Sequence, residues 1–184
     1  LKGQSRYPGI CRDAAHLTDN AAIRVRVTEQ PIEFEDRVIG PVREVLADSF
    51  GDFIIRRRDG VVAYQLATAV DDGDASIRHV IRGIDLLDNT ARQIYLMELL
   101  DLEPPDYGHV PMLVNAAGQK LSKQTFAEPL EDKAATANLI RILPALGLSA
   151  PAGAESTEPE ELLQWAAGVF SLKALRDLPS SYHL

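Results

Sequence analysis

Short stretches of alternating apolar and polar residues, punctuated by Gly, Pro and Asp, fill the first two thirds of the chain. Helical patterns are set between them, and only helical patterns follow. That order restricts the fold more than any other feature. Strands separated by helices pack as a mostly parallel α/β layer, and trailing helices add an appendix. Ile23–Val27 reads Ile-Arg-Val-Arg-Val, the pattern of a half-buried strand, and a second alternating stretch, Ile32–Ile39, ends at Gly40-Pro41. Phe53–Ile55 is a short apolar run closed by the turn Asp59-Gly60. Val61–Val70 is apolar and rich in Ala, fitting a buried helix or strand that Gly73 and its neighbouring aspartates end. Ile77–Ile81 reads as a strand stopped by Gly83. Asn89-Thr90 then offer caps for a helix through Leu100, with Ile94, Met97 and Leu100 on one face. After Pro104-Pro105, His109–Val114 reads as a strand and Asn115–Gly118 as a turn. Two helices are expected beyond it, about Lys133–Leu146 and Pro159–Leu172, separated by the linker Ser149–Thr157.

The chain's 184 residues suffice for a real core, and its hydrophobic share of 46% with 25% charged residues is that of a globular protein. No apolar run approaches the ~20 residues of a membrane span, so no membrane partner is expected. Cys11 stands alone and cannot form an internal disulfide, which favours a reducing, cytoplasmic setting. The chain opens on Leu1, so further sequence is expected upstream. A net charge of −8 argues at first against nucleic acid, yet residues 1–70 hold ten basic and ten acidic side chains and include the run Arg56-Arg57-Arg58. A basic face can coexist with an acidic whole. On charge alone, that run reads as a solvated strand end.

Local motifs remove the commonest enzyme classes. There is no Gly-rich phosphate loop and no nucleophile elbow, and His16, His79, His109 and His183 are scattered without metal-ligand spacing. What remains is Gln119-Lys120-Leu121-Ser122-Lys123-Gln124, just after a strand and a Gly-containing turn. Two lysines three apart can follow phosphate charge and stabilise it in a transition state. Alone, the segment reads as a charged, solvated turn, because Lys-Leu-Ser-Lys is not a rare string.

It does not stand alone. In chain order come Arg58-Asp59-Gly60, Ala63-Tyr64-Gln65-Leu66-Ala67, Val70-Asp71-Asp72, His79-Val80-Ile81-Arg82-Gly83-Ile84-Asp85, His109-Val110-Pro111 and Lys120-Leu121-Ser122-Lys123. Over roughly residues 50–125 this series resembles, in order and spacing, the second half of the catalytic domain of class I glutamyl-tRNA synthetases. Its last element corresponds to their KMSKS signature loop. The resemblance implies an α/β fold: the second half of a Rossmann-like catalytic domain followed by a small helical appendix. Residues 1–50 would be the remainder of an inserted acceptor and zinc-region subdomain, 51–118 the Rossmann-like half, and 119–184 the signature loop with the C-terminal helices. The first half, with its HIGH signature, is absent from the chain.

The same resemblance implies roles. Lys123 becomes the ATP-contacting lysine and Lys120 the second lysine of the loop, with Leu121, Ser122 and Gln124 completing it. Tyr64 and Arg82 would hold the glutamate; taken alone, they read as a core aromatic and an ion-pair partner of Asp72 or Asp85. Gln124, where ordinary bacterial glutamyl enzymes generally carry Arg, and the short C-terminal part are similar to a truncated branch of the family. That branch activates glutamate with ATP and Mg²⁺ without tRNA, then transfers it to the queuosine base of tRNA(Asp). A shortened enzyme acylating tRNA(Glu) and a non-catalytic binding module are the alternatives. Tyr7 and Cys11 resemble that branch's Tyr-x-x-x-Cys, two of four ligands to a structural zinc. The partner Cys-x-Cys either lies upstream or was lost with the metal; outside the resemblance, a lone Cys reads as a small buried residue. A monomer is expected.

Overall fold

The computed structural model describes residues 6–13, 20–122, 127 and 129–184. Lys123 and Gln124 lie outside these described residues, as does His16. Two compact units divide the chain, one reaching Ile81 and resuming over Asp85–Gly108, the other made of Arg82–Ile84 and His109–Leu184.

The first unit opens with β1 (Ile23–Arg24), the hairpin β2 (Ile32–Asp36) and β3 (Gly40–Glu44), and the short α1 (Leu46–Ser49). The expected strand Ile32–Ile39 breaks at Asp36. Its carboxylate accepts the backbone N–H groups of Val38 and Ile39, each at 2.9 Å, and turns the chain back into β3. β4 (Ile54–Arg56) pairs antiparallel with β1, as β3 does with β2. These local pairings, with the parallel pair described below, replace the mostly parallel layer with small two-stranded sheets.

α2 (Tyr64–Asp74) runs past Gly73 instead of ending there. A Cβ at Gly73 would sit 2.6 Å from Leu102 Cδ1, so the glycine admits that side chain against the helix. α3 (Leu87–Leu99) begins two residues before Asn89, after a 3₁₀ turn over Ile84–Leu86, and has no side-chain cap. Asn89 instead accepts from Gln65 Nε2 at 2.8 Å, and Thr90 is fully buried. Residues Thr90–Met97 are all buried, and Ile94 and Met97 join Val27, Leu46, Phe53 and Tyr107 in the unit's core. Burial of such side chains contributes roughly 1.5–3 kcal/mol each.

β5 (His79–Gly83) pairs with β6 (Asp106–Val110). The single strand expected over His109–Val114 is divided at Pro111, which lacks an N–H, into β6 and β7 (Met112–Val114). In the second unit β7 pairs parallel with β8 (Ser181–His183), a C-terminal strand without a clear local signature. The first C-terminal helix is shorter than its pattern: α4 (Ala135–Ile142) gives way at Pro144 to a 3₁₀ turn closed by Gly147 at φ 75°. α5 (Pro159–Val169) ends before Leu172, where α6 (Leu172–Arg176) starts. Leu143, Leu148, Leu162 and Ala166 form this unit's core.

Candidate active site

Arg82 stands near the end of β5, where its Nε lies 3.1 Å from Nε2 of His109 on β6. An arginine nitrogen only donates, so Nε2 accepts and the imidazole is neutral with its proton on Nδ1. His109 is buried at 1% exposure. Because a guanidinium is planar, holding Nε fixes the plane in which both terminal nitrogens lie, the geometry a carboxylate meets with two parallel bonds. His109 was not legible as a functional residue from metal spacing. The usable signal was a polar residue in an otherwise apolar strand, which needs a buried partner.

The signature loop leaves β7 through a tight hairpin. Asn115 Oδ1 accepts from the N–H of Ala117 at 3.0 Å and of Gln119 at 2.9 Å, and Gly118 takes φ 74° to close the turn. The chain then returns along β7, with Lys120 bridged to Val114 and Leu121 N donating to Leu113 O at 2.9 Å. Lys120 is exposed, and Leu121 and Ser122 are half-buried. His183 Nδ1 lies 3.1 Å from Asn115 O, so the C-terminal strand braces the same turn.

Tyr64 opens α2 in the first unit and is 50% exposed. That exposure removes the core-aromatic alternative. Tyr7 and Cys11 do come together, the Cys11 N–H donating to Tyr7 Oη at 2.9 Å, and the Cys11 thiol is exposed rather than buried. By themselves they supply two of the four donors a zinc needs, and no cluster of three His, Cys, Asp or Glu side chains occurs among the described residues. Gly51 (φ 65°) holds this segment down, since its Cα faces the Tyr7 carbonyl and Tyr7 N donates to Phe50 O at 3.0 Å. Among the described residues no helix is long and apolar enough to cross a membrane.

Residues 11–166 match the family described as tRNA synthetases class I (E and Q), catalytic domain. The chain belongs to that family. Among its relatives it is 50% identical over 159 residues to the glutamyl-Q tRNA(Asp) synthetase of Pseudomonas aeruginosa, a match covering 86% of this chain and 54% of that protein. The glutamyl-Q tRNA(Asp) synthetase of Ectopseudomonas mendocina is 48% identical over the same shares. The chain therefore spans about half the length of the curated relatives it matches. A solved glutamate tRNA ligase from Elizabethkingia meningosepticum, in complex with its amino acid, shares the fold with a TM-score of 0.62 at 22% identity, over 88% of this chain and 36% of that one.

Proposed function

We propose that the protein carrying this chain activates glutamate with ATP and Mg²⁺ and transfers it to the queuosine base of tRNA(Asp). The observation that carries this is the 50% identity to a glutamyl-Q tRNA(Asp) synthetase along a stretch that includes the whole motif series. The glutamate carboxylate attacks the α-phosphorus of ATP, pyrophosphate leaves, and the mixed anhydride then gives its glutamyl group to the base as AMP departs. Arg82, its plane held by His109, pairs a carboxylate of the substrate, and the Tyr64 hydroxyl orients a polar group of the amino acid. Lys120 and Lys123 follow the phosphate charge as it grows, with Mg²⁺ supplied by the nucleotide. In this reading residues 51–118 are the Rossmann-like half, and Gln124 marks the loop of the truncated branch. The zinc expected at Tyr7 and Cys11 has no part in these steps.

Two assays on the full-length protein decide the matter. Glutamate-dependent pyrophosphate exchange without tRNA, followed by labelled glutamate appearing on queuosine-containing tRNA(Asp) alone, is the expected result. Label on tRNA(Glu) assigns an ordinary acylating enzyme. No exchange in folded protein leaves a binding module.

A further inference from the structure

Four arginines from four segments line one cavity of about 570 Å³ in the first unit, and among the described residues no Asp or Glu side chain shares the lining. Arg6 precedes Tyr7, Arg24 ends β1, Arg57 follows β4, and Arg92 lies on α3. Their exposure is graded. Arg57 keeps 62% of its side chain exposed, whereas Arg92 is 6% exposed, so positive charge runs from solvent into the interior.

Arg92 is the unusual member. Its guanidinium lies 4.2 Å from the centre of the Phe50 ring and donates to neutral acceptors, the Asp88 carbonyl at 3.3 Å and Asn89 Oδ1 at 3.0 Å. Burial lowers its pKa, opposed by the more distant charges of Asp88 and Glu44, but it makes no salt bridge among the described residues. A buried cation with no carboxylate at ion-pair distance is costly, and an anion entering the cavity reduces that cost. Arg24 donates to the Asp52 carbonyl at 2.7 Å and stacks on Tyr7. Arg57 meets Asp59 at 2.7 Å in an exposed pair, the kind that contributes little and yields to a competing anion.

We propose that this cavity is a phosphodiester site, taking backbone phosphates of the RNA substrate between Arg57 at its mouth and Arg92 at its floor. Guanidinium forks match phosphate oxygens. A nucleoside triphosphate arrives with Mg²⁺, which seeks carboxylate and water oxygens, and no carboxylate lines the wall among the described residues. A row of phosphates also answers charges spread from rim to floor, as one small anion does not. The site gives Arg57, the middle of the Arg56–Arg58 run, a role and provides a local basic surface for RNA on a chain of net charge −8. It rests on the reading above that the acceptor is RNA.

The test titrates an anticodon stem-loop RNA of tRNA(Asp) against the full-length protein over a range of salt concentrations. Arg6→Gln and Arg57→Gln alter exposed side chains. Arg92→Gln alters the floor, and a melting curve checks its fold. Each substitution is expected to weaken binding and make the slope of log K against log salt shallower by about 0.7–0.9, one phosphate contact. Unchanged slopes in all three variants overturn the proposal. Saturable binding of inorganic pyrophosphate that these substitutions abolish, with RNA slopes unmoved, also overturns it and assigns the cavity to a free anion. Pyrophosphate exchange by the unsubstituted protein tests glutamate activation separately, so either reading can fail without hiding the other.

Discussion

His109 separates the presence of Arg82 from its orientation. His109→Leu removes the acceptor that Arg82 Nε meets at 3.1 Å, a change worth about 1–3 kcal/mol. On the glutamate-holding reading, the KM for glutamate in pyrophosphate exchange rises about tenfold while the KM for ATP stays put. His109→Gln, whose amide oxygen can accept, recovers part of the loss. Equal effects on both substrates, or no recovery with Gln, would mean that His109 only packs. Asp106 gives a pH signature of a different kind. A hydrogen bond from Arg37, aided by the charges of Arg37 and His79, holds its carboxyl below the usual carboxylate range. A depressed folded pKa means stability that is present above the ordinary value and lost as pH falls through the folded one. The pair is exposed, so the effect is small. The urea midpoint of Asp106→Asn should drop less than that of the unsubstituted protein between about pH 6 and pH 3; equal drops sink the assignment.

Elements were legible where periodicity and burial agree. Ile94 and Met97 marked the buried face of α3, and Pro159 marked the first residue of α5. They were illegible where tertiary contacts decide. Asn89-Thr90 looked like caps because their side chains suit that role, yet the helix starts earlier and uses Asn89 to hold Gln65 and Arg92. β8 pairs with a strand some 70 residues away in sequence, information no local window contains. The turn after α1 shows a third case, a glycine whose need is set by a distant segment. Gly51 has φ 65°, and a Cβ there would lie 2.5 Å from the Tyr7 carbonyl oxygen. Gly51→Ala combines left-handed strain with a backbone clash, about 2–4 kcal/mol together. The expected outcome is a lowered urea midpoint with increased hydrogen exchange at Tyr7, whose amide donates to Phe50 O. Gly118→Ala is the comparison: it has similar φ but nothing within 4 Å of its Cβ, so it should cost less.

At the scale of the whole chain, the motif series disclosed the family because each motif is a local string in a fixed order. The arginine cavity stayed hidden because its four members are separated by up to 86 positions and meet only in the fold. The same contrast applies to stability. Composition predicts a sizeable core, but not that most of the buried apolar residues described fall into two clusters with no member in common, one around Met97 and one around Leu162. Each cluster then answers to its own mutations. Met97 is 0% exposed and Leu162 1% exposed, so truncating either to Ala leaves a cavity worth about 2–5 kcal/mol. Hydrogen exchange reads where that loss is felt. Leu162→Ala should accelerate exchange along α4 and α5 while the amides of α3 keep their protection, and Met97→Ala should do the reverse. If each substitution instead accelerates both sets alike, the chain opens as one cooperative block, and the separate cores do not define separate units of stability.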